Sequence, residues 1–100
     1  MMEKLERRKL PHEIRQHIAG IFKREVQNNV PTTKVFTMDK RLKIYGLLDM
    51  ASREDKPREA ALAMEKATNL IQNLIPRDRY NEIVNEGRRL SKDSTGQELE

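Results

Sequence analysis

Four prolines divide the sequence into segments of helix length, and their positions constrain the fold more than any other feature. Proline lacks a backbone N–H, so it fits the first turn of a helix but breaks the hydrogen-bond ladder further in. Pro11 and Pro57 are therefore expected to begin helices, Pro76 to end one, and Pro31 to lie in a connector. Between these points apolar residues recur at helical spacing, which predicts helices rather than strands.

The first helix is predicted from Pro11 to Asn28. Its apolar residues share one face, and they are Ile14, Ile18, Ile21, Phe22 and Val26. Gly20 costs a helix about 1 kcal/mol relative to alanine, so we expect it to mark a close contact with a neighbouring helix. The segment from Val30 to Phe36 is rich in β-branched residues and is predicted to be an extended connector, not a sheet strand. Residues 3–10 are compatible with a short additional helix.

Three further helices follow in the sequence. Thr37 or Asp39 can cap the second, which should end near Arg53. The third begins at Pro57 and carries the longest apolar face, which comprises Ala60, Ala63, Met64, Ala67, Leu70, Ile71 and Leu74. The fourth is expected over residues 77–90. Its apolar residues are Tyr80, Ile83, Val84 and Leu90.

These elements predict an all-α protein, a small irregular bundle of four to five helices with a disordered C-terminal tail. Residues 1–90 would form a single helical domain and residues 91–100 the flexible tail, because the tail has little apolar surface to offset the entropy of ordering. The residues expected to be buried together are Ile18, Phe22, Leu48, Met64, Ala67, Leu70 and Ile83.

The composition excludes several classes of protein. The chain has no cysteine, which rules out disulfides and thiolate zinc sites. It contains no apolar run long enough to span a bilayer, and its highly charged N-terminal stretch does not resemble a secretory signal. A soluble, cytoplasmic protein that does not bind membranes is expected.

Catalytic patterns are also missing from the sequence. His12 and His17 are five residues apart, which places the two rings about 140° apart around a helix, too far to chelate one metal ion. There is no glycine-rich phosphate loop, and no serine stands in an evident arrangement with histidine and an acid. We therefore expect no enzymatic activity, no cofactor, no metal and no small-molecule substrate.

The positive charge is concentrated in the first half of the chain. The net charge is +4, but residues 1–46 contain eleven Lys and Arg and only five Asp and Glu. Such an asymmetry favours a polyanionic partner, although lysine and arginine also simply solvate helices. The candidate nucleic-acid contacts are Arg7, Arg8, Lys9, Arg15, Lys23, Arg24, Lys34, Lys40, Arg41 and Lys43.

Duplex DNA is the partner that these residues favour. Recognition of single strands usually stacks bases on exposed aromatic residues, whereas this chain has only two Phe and two Tyr, of which at least two are expected in the core. The leading prediction is a small non-enzymatic DNA-binding or regulatory protein. Its basic N-terminal half would contact duplex phosphates.

A protein-protein interaction adaptor or inhibitor, possibly homodimeric, is the alternative. Its basic charge would then serve only solubility, and binding would use apolar residues outside the main helix faces. Leu47, Leu62 and Ile75 are predicted to form this exposed surplus.

One part of the sequence is similar to a known family. Residues 39–74 resemble a domain-of-unknown-function family of bacterial and phage proteins, whose helical hairpin reads I-x-x-L-L-x-x-A, then E-A-x-x-A-x-x-K-A-x-x-L. The matching residues are Ile44, Leu47, Leu48, Ala51, Glu59, Ala60, Ala63, Lys66, Ala67 and Leu70. The resemblance implies a helical hairpin and a phage or bacterial setting in which small basic proteins act as regulators. It brings no catalytic residues.

Overall fold

A computed structural model describes residues 11–99, with side chains described for residues 11–91. Over this range the chain forms four α-helices and no strand. They are α1 (Pro11–Asn29), α2 (Met38–Ala51), α3 (Pro57–Ile71) and α4 (Arg77–Leu99). The prediction of an all-α bundle is confirmed. The additional helix considered for residues 3–10 lies outside the described residues.

The helix starts follow the local chemistry of the sequence. The Thr37 hydroxyl accepts a hydrogen bond from the backbone N–H of Lys40 at 3.4 Å, so threonine, not Asp39, caps α2. Pro57 occupies the first turn of α3, where its missing N–H leaves no bond unmade. Helix α3 ends at Ile71, and a short turn separates it from Pro76.

Helix α1 is the centre of the bundle because it packs against each of the other three helices. Helices α2 and α3 form a hairpin with the most extensive contact in the molecule, while α4 packs mainly on α1. The face of α3 that enters the core carries Ala60, Ala63 and Ala67, all nearly inaccessible to solvent. Such small side chains let the backbones of two helices approach closely.

The predicted core is largely correct. Ile18, Phe22, Leu48, Ala67 and Ile83 are buried, and Met64 is partly buried against them. Leu70 is the exception.

Leu70 was expected at the centre of the α3 apolar face, but its side chain is 42% exposed. At 100° per residue, Leu70 stands at the edge of the strip formed by Ala63, Ala67 and Ile71. The close α2–α3 contact covers the alanines and leaves this edge open. Leu42 of α2 is also exposed, at 57%.

The close helix crossing is at a different glycine from the predicted one. A Cβ built on Gly20 would have no neighbour within 4 Å, so the expectation for that residue is wrong. A Cβ built on Gly87 would lie 3.2 Å from Cγ1 of Ile18, tighter than ordinary contact. The missing side chain at Gly87 therefore allows α4 to approach α1.

The last helix extends beyond its predicted end. The backbone is helical as far as Leu99, so the segment expected as a disordered tail continues α4. No proline interrupts the backbone hydrogen bonds after Arg77, and Gly96 lowers helix stability by only about 1 kcal/mol. The division into a domain of residues 1–90 and a tail stays a prediction. Among the described residues, no helix has the length and apolarity needed to cross a membrane.

Candidate functional site

Among the described residues, the basic side chains predicted to contact a nucleic acid have different surroundings. Arg7, Arg8 and Lys9 lie outside the described residues. The seven others separate into a group that makes contacts inside the bundle, a single exposed residue on α1, and a group around an apolar groove.

Arg41 belongs to the interior of the fold. It is only 9% exposed, and its guanidinium donates hydrogen bonds to the main-chain carbonyls of Val26 and Val30 at the end of α1. It also donates to the Tyr45 hydroxyl at 2.9 Å and to the Thr32 hydroxyl at 3.1 Å. These contacts occupy all three guanidinium nitrogens. Because Arg41 is also buried, its position is not consistent with the predicted contact to a phosphate.

The charge of Arg41 is balanced without an acidic partner. The carbonyls at a helix C-terminus carry a partial negative charge, and Arg41 supplies the cation that α1 lacks in its own last turn. The guanidinium carbon also lies 5.0 Å from the centre of the Phe36 ring. This arginine therefore joins the end of α1, the connector and α2 into one unit.

Arg15 and Lys23 connect α1 to α2. The Nε of Arg15 donates to the carbonyl of Ala51 at 3.3 Å, and Gln16 donates to the carbonyl of Ser52 at 2.7 Å. Both contacts satisfy carbonyls at the C-terminal end of α2. Further along α1, the Lys23 ammonium lies 3.5 Å from a carboxylate oxygen of Asp49.

The outer surface of α1 alternates in charge. Arg24 is exposed and makes no side-chain hydrogen bond or ion pair within the described part of the chain. Its neighbour Glu25 is partly buried and accepts a hydrogen bond from Arg79 of α4 at 2.8 Å. That bond raises the pKa of Arg79 above its ordinary value. The surface around Arg24 is thus interrupted by acids and does not form a continuous basic stripe.

Both histidines lie beside glutamates. The His12 ring is 3.8 Å from Glu54, and the His17 ring is 3.5 Å from Glu86. A hydrogen bond from Arg89 is the main cause that holds the pKa of Glu86 below its usual value, and His17 adds to it. No group of three or more potential metal ligands occurs among the described residues.

Two of the three remaining lysines, Lys40 and Lys43, line an apolar groove between the connector, α2 and the end of α3. We call it the lysine groove; its lining residues are Val35, Phe36, Lys40, Lys43, Ile44, Leu70 and Leu74. Its volume is about 290 Å³. None of these residues is acidic. Lys34 directly precedes Val35 in the chain.

Local hydrogen bonds hold the connector in the shape that the groove requires. The Thr33 hydroxyl accepts from the N–H groups of Val35 at 3.1 Å and Phe36 at 2.8 Å. This turn buries Phe36 in the core and leaves Val35 77% exposed. The Lys40 ammonium donates to the carbonyl of Val35 at 2.9 Å, which fixes the lysine at the rim.

Sequence reasoning found the lysines of the groove but not its apolar lining. Leu70 was assigned to the core and Val35 to an extended connector, so neither suggested an exposed surface. Of the predicted apolar surplus, Leu62 is 52% exposed, Leu47 is partly buried, and Ile75 is only 7% exposed. The expectation for Ile75 is wrong because the turn after α3 folds its side chain into the core.

Comparisons with known proteins identify no relative. No protein-family model matches the chain, and neither the curated proteins nor the solved structures show significant similarity to it. The resemblance of residues 39–74 to a bacterial and phage family stays a prediction.

Proposed function

We propose that this protein is a non-enzymatic interaction adaptor that binds an acidic, amphipathic segment of a partner protein in the lysine groove. The observation that carries the proposal is the combination of exposed apolar side chains and lysines with no carboxylate in the lining. This is the second of the two functions that the sequence favours. A cytoplasmic location and a phage or bacterial setting remain predictions.

The apolar lining supplies a reason for a protein partner. Val35 is 77% exposed and Leu70 is 42% exposed, so both would lose contact with water when a partner binds. Leucine or phenylalanine residues on one face of a helix can enter such a groove at spacings of three and four. The phosphates of a duplex have no apolar surface that could cover Val35 and Leu70.

The rim supplies a reason for an acidic partner. Lys43 is exposed and has no ion pair among the described residues, and Lys40 contacts only a main-chain carbonyl. Glutamates on the polar face of a bound helix could pair with both ammonium groups. Such complementarity increases the association rate and selects against basic partners.

Duplex DNA is the second candidate, and the same unpaired lysines favour it. Arg24, Lys34 and Lys43 have no hydrogen bond or ion pair among the described residues. Lys23 and Arg41 bind groups within the protein, whereas Arg15 and Lys40 each donate to one main-chain carbonyl and keep further N–H groups available. A reduced set of phosphate contacts would give weak binding with a shallow dependence on salt. We therefore place DNA below the protein partner.

Fluorescence anisotropy with a labelled model peptide tests the proposal. The peptide carries leucines on one helical face and glutamates on the other, and a second peptide replaces each glutamate with lysine. We expect saturable binding of the acidic peptide only. The double variant Lys40→Gln/Lys43→Gln should weaken it about tenfold, since each exposed ion pair contributes up to about 1 kcal/mol.

The matched control removes two positive charges elsewhere. Lys56→Gln/Arg58→Gln alters exposed residues at the start of α3, outside the groove lining, and should leave peptide affinity unchanged. If both double variants weaken binding equally, affinity depends on the net charge of the protein and not on the lysines of the groove. That result would contradict the proposal. Binding of duplex DNA at low salt, without binding of the acidic peptide, would make DNA the preferred partner.

A further inference from the structure

A second cavity lies where α1, α3 and α4 meet. Its volume is about 470 Å³, within the range of small-molecule sites. Ile18, Phe22 and Val84 contribute apolar lining, and the Tyr80 ring packs against Phe22 at a tilt of 40°, with ring centres 5.7 Å apart. Two basic residues also line the cavity, the partly buried Arg15 and the exposed Arg88.

Arg15 and Arg88 give the cavity a positive charge. Arg88 is exposed and makes no hydrogen bond or ion pair within the described part of the chain. Arg15 uses its Nε to bind the carbonyl of Ala51, which leaves both terminal nitrogens without a partner among the described residues. None of the residues that line the cavity is acidic. Two guanidinium groups therefore stand beside an apolar surface without a counter-charge in the lining.

We propose that this cavity binds a medium-chain fatty carboxylate. The aliphatic chain would lie over the partly exposed side chains of Met64, Tyr80 and Val84, and the carboxylate would accept hydrogen bonds from Arg15 and Arg88. Guanidinium groups match carboxylates geometrically because their N–H groups point in parallel pairs. A small hydrophilic anion would pair with the arginines but leave the partly exposed side chains of Met64, Tyr80 and Val84 in contact with water.

The site is separate from the lysine groove, so it does not depend on the proposed adaptor function. Its residues come from α1, α3 and α4, whereas the lysine groove is built from the connector, α2 and α3. The two cavities share no lining residue. Each can therefore be altered without changing the other.

Titration of the full chain with octanoate and octylammonium tests the proposal, because the two probes share a chain and differ in the sign of their charge. Amide chemical shifts measured by NMR report where each probe binds. Octanoate should bind saturably and shift the amides of Ile18, Val84 and Gly87. Octylammonium should bind at least about tenfold more weakly, since it places a cation beside two guanidinium groups.

Matched arginine variants identify the head-group contact. Arg88→Gln should weaken octanoate binding by about three- to tenfold, as expected for loss of one charge-assisted hydrogen bond near solvent. Arg77→Gln, an exposed residue of the same helix outside the cavity, should leave the affinity unchanged. Equal binding of the two probes, shifts centred on the lysine groove, or equal effects of the two variants would overturn the proposal.

Discussion

The α1–α2 contact and the lysine groove both contain basic residues from the first half of the sequence. The basic residues differ in whether they have partners within the protein. At the contact, Arg15 binds a helix-end carbonyl and Lys23 pairs with Asp49. Around the groove, Lys43 has no ion pair among the described residues and no acid lines the cavity. Basic residues at the contact stabilise the bundle, whereas those at the groove stay available to a partner.

This difference shows why charge counted along a sequence is a poor guide to a binding surface. Arg41 and Lys43 are two residues apart on α2, yet Arg41 is buried with four hydrogen bonds and two ring contacts, and Lys43 is exposed. A side chain's availability depends on which face of the helix meets a neighbour. Replacing Arg15 and Lys23 to test DNA binding would also disturb the fold.

The largest expected effect is a difference in stability between variants of two neighbouring residues of α3, Ile71 in the core and Leu70 in the lysine groove. Ile71→Asp should unfold the protein, since it would bury an unpaired carboxylate at a fully buried position and cost more than about 4 kcal/mol. Leu70→Asp should stay folded and lose about 1 kcal/mol or less, because its side chain already reaches solvent. Circular dichroism and urea unfolding measure both.

The same pair of variants also sharpens the functional comparison. Folded Leu70→Asp should lose binding of the acidic peptide, since it places a negative charge in the lysine groove. If Leu70→Asp unfolds as completely as Ile71→Asp, Leu70 belongs to the core and the groove is closed in solution.

The second largest expected effect is a difference in stability between variants of two basic residues of α2, the buried Arg41 and the exposed Lys43. Arg41→Ala should destabilise the protein by about 3 kcal/mol, because it leaves the carbonyls of Val26 and Val30 without their hydrogen bonds. Lys43→Ala should change stability by less than about 0.5 kcal/mol. Urea unfolding of both variants gives the comparison, and similar losses for the two would show that Arg41 is not an interior link.

The smallest expected effect is the dependence of stability on pH. Arg89, with a lesser contribution from His17, lowers the pKa of Glu86 in the folded protein. Such a carboxyl stabilises the fold above the ordinary pKa of glutamate, about 4.3, and this contribution is lost as pH falls through the lowered value. Glu86→Gln should therefore lose less stability on acidification than the unaltered protein, by a small amount because the pair is near the surface.

The control for this prediction is a variant in the lysine groove, whose lining contains no acidic residue. Lys43→Gln should show the same dependence of unfolding on pH as the unaltered protein. Urea midpoints measured from neutral pH to about pH 3 test both variants. An identical acid response of Glu86→Gln and Lys43→Gln would mean that the contacts around Glu86 contribute nothing to stability.

Local patterns gave most of the fold correctly, because helix formation depends on short-range features. The spacing of apolar residues and the positions of Pro11 and Pro57 predict where helices begin, and the buried strip of α1 matches its periodicity. The end of α4 was predicted too early, since a polar segment can continue a helix when nothing breaks its backbone hydrogen bonds.

The candidate site was predictable only in part. Lys40 and Lys43 stand out in the sequence as charged residues, but a linear pattern does not show that they border an apolar groove. The groove depends on Leu70 at the edge of its helical face and on Val35 turned outward by the Thr33 hydrogen bonds. Both features require knowledge of which helix packs where.

The sequence by itself determined the class of the fold, the helix starts and the absence of disulfides, since these follow from residue type and spacing. The tertiary structure decided which charges are available. It buried Arg41 at the end of α1, placed Gly87 against Ile18 instead of using Gly20, and left Leu70 open to solvent. The physical reason is that burial arises from contacts between helices distant in the chain, whereas periodicity reports only one helix at a time.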